Sequence, residues 1–242
     1  MPFLLQLSFL FFIGSFLGWG LEVLFRKFCC GSTNPEHHWI NPGFLTGPYL
    51  PLYGFGLTAM YLLCDIPWGL SGWQRAVVVI LVIMAAMTAI EYIAGLIFIR
   101  GMKLTLWDYS DLRGNIQGII CPQFSLIWAA IAAIYDLFVH PYILDALYWL
   151  SQNLAFSFVI GLFFGVFLID VAHSAQIVAR LKKFAEDNDV EVRYEALKAD
   201  IRRRAKERAG KYHFFRPFRS DLPLSEHLKA MYESLEERRK RK

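Results

Sequence analysis

The chain has 242 residues, of which 56% are hydrophobic and 19% charged, and its formal net charge is +4. Together with a mean hydropathy of +0.37, these values exclude an ordinary soluble domain and are typical of a membrane protein. The four cysteines include no Cys-x-x-Cys pair, so the sequence offers no redox or zinc motif of that kind.

Five apolar runs are long enough to cross a bilayer, whose core requires about 20 apolar residues per helix. They are Phe3 to Phe28, Phe44 to Cys64, Ala76 to Ile99, Ile116 to Val139 and Ile143 to Val171. The first run is too long for a signal peptide and lacks a basic start, so we expect it to remain as a span. The sequence therefore predicts an all-α, polytopic helical membrane protein with about five transmembrane helices and a cytoplasmic amphipathic helical tail.

Charge is distributed unequally along the chain. Residues 1–172 hold six Lys or Arg against nine Asp or Glu, whereas residues 173–242 hold nineteen against twelve. The positive-inside rule places the basic part in the cytoplasm, and five spans then place the N-terminus outside. We predict a transmembrane domain over residues 1–172 and a basic cytoplasmic helical tail over residues 173–242.

The first span contains a Gly14-x-x-x-Gly18 pattern, and the fifth contains Gly161-x-x-x-Gly165. Small residues four apart allow another helix to approach closely, so both patterns predict helix packing. Glu22 lies near the cytoplasmic end of the first span. Its carboxylate either reaches the headgroups or belongs to a functional site.

The stretch from Asn41 to Gly56 reads NPGFLTGPYLPLYGFG, and its prolines and glycines are not typical of an ordinary helix. Pro48 and Pro51 would leave the carbonyl groups of Phe44 and Gly47 without helical partners. Irregular backbone in a membrane is tolerated where protein buries it or a cavity solvates it, and it often builds transport sites. The alternative is a proline-kinked start of a helix without chemistry. The candidate residues of this stretch are Asn41, Tyr49 and Tyr53 for ligand contact, and Gly47, Pro48, Pro51 and Gly54 for backbone irregularity.

The third span is apolar as far as Glu91-Tyr92, which lies about eight residues before its cytoplasmic end. A single acid at that depth is a candidate for function. Arg100 and Arg113 are possible countercharges. Because Arg100 is not on the same helix face, a neighbouring element must supply any close partner.

The third loop, from Trp107 to Gly118, mixes aromatic, acidic, amide and glycine residues where a loop becomes a span. Its oxygen-bearing side chains suit hydrogen bonds to a polar substrate or ligation of a hard cation; they are Asp108, Asp111, Asn115 and Gln117. Alternatively, Ser110 and Asp111 cap the next helix. Capping explains Asp108, between Trp107 and Tyr109, less well.

The fourth and fifth predicted spans contain fewer candidates for a functional site. We expect the fourth to end with Asp136, His140 and Pro141 outside the membrane. Asp170, at the inner end of the fifth span, more often holds helices together than binds a ligand.

From His173 onward, apolar residues recur at helical spacing among charged ones. They are Ile177, Leu181, Phe184, Tyr194, Leu197 and Ile201, in an amphipathic helix that Gly210 can end. A second helix fits Leu224 to Lys242, with one apolar face formed by Leu228, Met231, Tyr232 and Leu235. Between them, the segment KYHFFRPFR is attracted to anionic headgroups, which favours membrane lipid over nucleic acid as its partner.

The predicted topology brings Glu22, the Asn41 to Gly56 stretch, Glu91 and the third loop to the cytoplasmic half of the membrane. We therefore expect one polar pocket that opens to the cytoplasm. Its candidate substrate-binding or coupling residues are Glu22, Asn41, Tyr49, Tyr53, Glu91, Trp107, Asp108, Tyr109 and Asn115.

Four groups of these residues also carry a resemblance. They are Gly18-Trp19 with Glu22, Asn41-x-Gly43-Phe44-x-x-Gly47-Pro48-x-x-Pro51-Leu52-Tyr53-Gly54-x-Gly56, Glu91-Tyr92, and Trp107-Asp108-Tyr109-Ser110 followed by Asn115 and Gly118. Over residues 9–139 the chain resembles the bacterial integral membrane proteins of the CmpB-type ABC-transporter permease family. The resemblance implies a transport role and a location in a bacterial plasma membrane, but it implies no substrate.

The sequence contains no GxxxxGK[ST] phosphate loop, so an ATPase would be a separate subunit. Five spans are few for a complete pathway, which favours a homo-oligomer or partner subunits. Two other classes remain open: a membrane-embedded enzyme that uses Glu22, Glu91 and Asp108 on a lipid-linked substrate, and a non-transporting scaffold or sensor that docks partners on its tail. No Ser/His or HExxH arrangement supports the enzyme, and we expect no cofactor and no metal.

Overall fold

The computed structural model of the protein describes residues 2–28, 37–207, 214–218 and 222–240. These residues are almost entirely helical, which confirms the all-α prediction. The α-helices are α1 (Phe3–Phe28), α2 (Pro51–Cys64), α3 (Gly72–Gly95), α4 (Pro122–Ile134), α5 (His140–Gln152), α6 (Ser157–Asp187), α7 (Tyr194–Glu207) and α8 (Leu224–Lys240). Two short strands, β1 (Leu104–Thr105) and β2 (Val192–Arg193), pair in parallel.

Four helical segments of the described chain are long and apolar enough to cross a membrane. They are Phe3–Phe28, Gly72–Gly101, Pro122–Gln152 and Leu154–Asp187. The 14-residue helix α2 is apolar but shorter. Four long helices with one short one agree with the prediction of about five spans.

We call the end of this bundle where α1 ends, α2 begins and α6 continues beyond the apolar helices the tail end. The other end, where α2 ends and α3 begins, is the far end. The helices alternate in direction along the chain, so the predicted candidate residues belong to elements that meet at or near the tail end.

The predicted boundary between the fourth and fifth spans was wrong. The helix that begins at Pro122 continues through a π-helical turn at Tyr135–Val139 and on to Gln152, and it ends at Asn153. The wider π-helical turn accommodates Pro141, which lacks an N–H donor. Asp136 was expected outside, but its side chain is only 3% exposed and pairs with Arg75 at 3.0 Å.

The predicted break before the second helix is confirmed, but it is shorter than expected. Residues Asn41–Leu50 are not helical, and α2 begins at Pro51. A proline is well tolerated there because the first helical N–H groups have no intrahelical partner. Gly54, which was expected in irregular backbone, lies within α2.

The carbonyl groups that were expected to need other partners have them. The Gly47 oxygen accepts the Tyr49 N–H at 2.9 Å, and the Phe44 oxygen accepts the Tyr194 hydroxyl at 3.4 Å. The backbone of this segment is therefore stabilised by a tight turn and by a side chain of α7, which lies 150 residues later in the sequence.

Helices α1 and α2 pack closely because glycines form their contact. A Cβ added to Gly14 would lie 2.8 Å from Leu57 Cβ, and one added to Gly18 would overlap the Tyr53 side chain. The second small-residue pattern behaves differently, since nothing lies within 4 Å of a Cβ added to Gly161 or Gly165. The packing prediction is thus confirmed for the first pattern, whereas the second contacts no other described part of the chain.

The tail forms its own apolar cluster beside the tail end of the bundle. The predicted face is present, but α6 carries its first three members and α7 the other three, with β2 between them. Buried members of the cluster are Leu104, Val178, Leu181, Ala185, Val192, Tyr194, Leu197, Ile201 and Leu228. Gly210, the expected helix end, and the Leu235 side chain lie outside the described residues.

Candidate functional site

The irregular segment Asn41–Leu50 is held first by its own asparagine. The Asn41 side chain is 3% exposed and donates to the carbonyl groups of Leu45 at 3.3 Å and Thr46 at 3.0 Å. Its amide oxygen accepts the indole N–H of Trp19 at 2.7 Å. Asn41 therefore closes the turn and ties it to α1.

Asp170 on α6 holds the same segment from a second side. Its carboxylate accepts the Thr46 N–H at 3.0 Å, the Thr46 hydroxyl at 2.6 Å and the Gly47 N–H at 2.8 Å. It also accepts the hydroxyls of Tyr49 at 2.6 Å and Ser174 at 3.1 Å. Burial, followed by the hydrogen bond to Asp170, raises the pKa of Tyr49, so this phenol remains a donor.

Lys198 on α7 holds the segment from a third side. Its ammonium group donates to the carbonyl oxygens of Asn41 at 2.8 Å and Gly43 at 3.2 Å, and it pairs with Glu195 at 3.0 Å. Burial lowers the pKa of Lys198, and the negative charge of Glu195 opposes that shift. The predicted residues Asn41, Gly47 and Tyr49 are thus fully engaged within the protein and form a structural anchor.

A second constellation lies where α1, α2, α3 and α4 meet at the tail end. Glu22 accepts the Tyr53 hydroxyl at 2.8 Å and pairs with Arg26, one turn later, at 2.8 Å. The Arg26 guanidinium also pairs with Glu195 of α7 at 3.2 Å. Arg26 therefore connects this membrane carboxylate to the tail.

Glu91 on α3 belongs to the same constellation. It is 5% exposed and accepts the Tyr109 hydroxyl and the Trp128 indole N–H, each at 2.9 Å. The Tyr53 and Trp128 rings lie 6.4 Å apart and join the two halves. We call these five residues, Glu22, Tyr53, Glu91, Tyr109 and Trp128, the carboxylate cluster.

Both carboxylates of the cluster affect the pKa of Tyr109. Burial raises its pKa most, the negative charge of Glu91 raises it further, and the charge of Glu22 adds a smaller increase. The phenol therefore stays protonated over the whole physiological pH range and donates a hydrogen bond to Glu91. Neither Arg100 nor Arg113, which the sequence offered as possible countercharges, pairs with Glu91, and no other basic side chain of the described residues does so.

The loop before α4 is closed by its own hydrogen bonds and positions Tyr109. Trp107 donates to the Ile119 carbonyl at 2.9 Å, and Asn115 bridges the Leu112 carbonyl at 2.8 Å and the Gly118 N–H at 3.0 Å. These bonds close the loop on itself. Tyr109 then stacks on Phe124 of α4, with ring centroids 4.3 Å apart.

Asp108 does not reach the carboxylate cluster. It accepts the Ser110 N–H at 3.0 Å and the Ser110 hydroxyl at 2.5 Å, and it faces Arg193 at 3.5 Å on the surface. The bonds from Ser110 lower the pKa of Asp108. The idea that Ser110 and Asp111 cap α4 was wrong, because α4 begins eleven residues after Asp111, at Pro122.

Of the nine predicted contact residues, the structure brings four together: Glu22, Tyr53, Glu91 and Tyr109. Trp128, which completes the cluster, was missed because a tryptophan in an apolar helix reads as a core residue. Lys198 was missed because a lysine on an amphipathic tail helix normally faces water. Asp170 was noticed as a single acid in a span, and that was its only signal.

No group of three or more His, Cys, Asp or Glu side chains among the described residues is arranged to hold a metal ion. The chemistry of the carboxylate cluster is therefore that of two acids, two phenols and an indole. Such a set is chemically suited to binding protons or cations.

Comparison with known protein families gives a match. The family model described as Putative ABC-transporter type IV matches residues 9–175. No curated protein and no solved structure matches the chain significantly. The matched range contains every residue of the carboxylate cluster as well as Asp170.

Proposed function

Because the chain belongs to the ABC-transporter type IV family, we propose that it is the membrane-embedded subunit of a transporter. In this proposal the carboxylate cluster binds the cationic group of the transported solute, and a separate ATPase chain supplies the energy. The family match supports the transport role, and the two carboxylates of the cluster support a positive charge on the solute.

One observation carries the choice of a cation. Glu91 is buried in an apolar helix, and its two hydrogen-bond donors, Tyr109 and Trp128, are neutral. An ionised carboxylate in that position is costly unless a cation or a proton compensates it. Among the described residues no basic side chain pairs with Glu91, and a cationic solute would supply that charge.

The aromatic residues of the cluster suit an organic cation. Two phenols and an indole surround the carboxylates, and an ammonium group over an aromatic face gains about 0.5 to 2 kcal/mol. Protonated or quaternary amines combine that attraction with the charge of Glu91. We therefore infer that the solute carries such a group.

In this proposal a solute reaches the cluster from the side of Glu22. The Glu22 side chain is 19% exposed, whereas Glu91 is 5% exposed, so a solute meets Glu22 first. Arg26 occupies Glu22 in this conformation and has Glu195 as a second partner on the tail. If Arg26 paired with Glu195 alone, the Glu22 carboxylate would become available to the incoming cation.

The test uses Trp128 as the reporter, because its indole N–H contacts Glu91. Purified protein in lipid nanodiscs is titrated with choline and with tetraethylammonium while tryptophan fluorescence is followed. We expect a saturable change that Trp128→Phe removes. Glu91→Gln should weaken apparent affinity at least tenfold, since contacts to a charged group contribute about 1.5 to 3 kcal/mol and about 1.4 kcal/mol is tenfold.

Asp108→Asn is the matched control, because it also removes one carboxylate at the tail end but lies outside the cluster. It should bind both probes as the unaltered protein does. Binding that is unchanged in Glu91→Gln, or no saturable change with either probe, contradicts the proposed role of the cluster.

A further inference from the structure

An apolar groove lies on α1 at the tail end, apart from the carboxylate cluster. Its volume is about 600 Å³, within the range of roughly 300 to 1,000 Å³ that is typical of ligand pockets. The lining is almost entirely apolar and consists of Trp19, Gly20, Val23, Leu24, Trp39 and Phe214. A hydrocarbon chain is the ligand that this lining matches.

Residues outside the membrane helices form one wall of the groove. Phe215 stacks on Trp19 with ring centroids 6.2 Å apart, and Phe214 meets the same indole edge-on at 6.4 Å. The Trp39 carbonyl is held by Arg202 of α7 at 2.7 Å. The tail thus builds an aromatic wall beside a helix whose neighbouring residues, Leu21 and Phe25 among them, are exposed as lipid-facing side chains are.

The rim of the groove is positively charged. The Lys27 ammonium lies 3.5 Å from the centroid of the Trp39 ring, and no carboxylate of the described residues pairs with it. Apolar lining below a cationic rim is complementary to an amphiphile with an anionic head.

We propose that this groove binds an anionic phospholipid, with one acyl chain between Trp19, Trp39 and Phe214 and its phosphate at Lys27. The place of the groove along α1 favours this occupant. Its apolar part runs beside Gly20 and Leu24, and Lys27 follows within a turn, where the headgroups meet the end of a membrane helix. Because Trp19 also donates to Asn41, the lipid would contact one wall of the irregular segment.

Glycines of the chain provide a matched pair of variants for the test. A Cβ added to Gly20 or to Gly165 meets nothing within 4 Å, so a side chain can leave the helix at both positions without a clash at its first atom. Gly20→Trp fills the groove, whereas Gly165→Trp adds the same bulk to α6, away from the groove. Lys27→Gln removes the rim charge and leaves the groove open.

Protein is reconstituted in nanodiscs of equimolar dioleoyl-phosphatidylglycerol and dioleoyl-phosphatidylcholine, and the retained lipid is counted by native mass spectrometry. We expect one phosphatidylglycerol retained by the unaltered protein and by Gly165→Trp. Retention should fall at least tenfold in Gly20→Trp, and Lys27→Gln should lose the preference for phosphatidylglycerol over phosphatidylcholine. A second measurement on the unaltered protein maps cross-links from an acyl-chain diazirine of phosphatidylglycerol, which we expect between Trp19 and Leu24 and at Trp39.

Equal retention of the two lipids by the unaltered protein, or undiminished retention in Gly20→Trp, overturns the proposal. Cross-links spread evenly over the lipid-facing helices overturn it as well, even where Gly20→Trp does not fold. None of these readouts depends on transport or on Glu91, so the lipid site and the proposed function succeed or fail separately.

Discussion

Glu91 and Asp170 show two different fates of a carboxylate in an apolar helix. Asp170 receives hydrogen bonds from two backbone N–H groups and from the hydroxyls of Thr46, Tyr49 and Ser174. Glu91 receives only two, both from neutral side chains. The sequence shows each as a lone acid in an apolar run. It cannot show the difference, because all partners of Asp170 except Ser174 lie more than 120 residues away in the chain.

The phenols of Tyr49 and Tyr109 predict how the stability of the protein depends on pH. The pKa values of Tyr49 and Tyr109 are raised in the folded protein by burial and then by Asp170 and Glu91, relative to about 10 in an unfolded chain. Their contribution to the free energy of unfolding is therefore complete below about pH 10 and is lost as the pH rises toward the folded pKa values.

We expect the thermal unfolding midpoint to fall between pH 10 and pH 12, above the pKa of an unfolded tyrosine, and Tyr109→Phe to make that fall smaller. Tyr148→Phe, at an exposed tyrosine of α5, should leave it as it is in the unaltered protein. A Tyr109→Phe variant with the same pH dependence as the unaltered protein would contradict the assignment of this phenol to Glu91.

At the scale of elements, hydropathy located the helices well where apolar residues give way to charged residues at the helix end. The run Phe3 to Phe28 is α1 itself, because basic residues close it. The boundary near His140 was misplaced, because Pro141 and polar neighbours resemble a turn. In the structure a π-helical turn carries the helix past them, and the short polar segment near Asn153 makes the actual break.

The contact between α1 and α2 predicts a contrast between two glycines. Gly18→Ala places a Cβ on the Tyr53 ring, and overpacking of this kind costs about 1 to 3 kcal/mol. It should lower the unfolding midpoint and weaken probe binding, because Tyr53 also donates to Glu22. Gly161→Ala, which meets open space, should leave both unchanged or raise stability slightly. Equal behaviour of the two variants would show that α1 and α2 are not in close contact at Gly18.

At the scale of the whole molecule, the tail and the bundle share elements. Helix α6 runs from the apolar bundle to Asp187, and β1 pairs with β2 beside it. Lys198 then reaches back to Asn41. The sequence predicted the amphipathic helices of the tail, because a period of 3.6 is visible locally, but it carried no sign of where they dock.

Family membership and the lack of a phosphate loop in the sequence predict a partner at this scale. Purification from native membranes in mild detergent should yield a stoichiometric second chain that carries a phosphate loop, identified by mass spectrometry. Its ATPase activity should respond to the cation that the cluster binds. A homo-oligomer without any ATPase would contradict the proposed energy source and leave the cation site to be explained by ion coupling.

The anchoring of residues Asn41–Leu50 also dictates an order of events during synthesis. The Thr46 N–H donor is made 124 residues before its acceptor Asp170, and the Asn41 carbonyl acceptor is made 157 residues before its donor Lys198. At roughly 5 to 20 residues per second, Asn41 waits about 8 to 30 seconds for Lys198. During that interval the nascent segment must satisfy its polar groups with water or with the insertion machinery, so the part of the bundle nearest the carboxylate cluster is among the last to reach its final form.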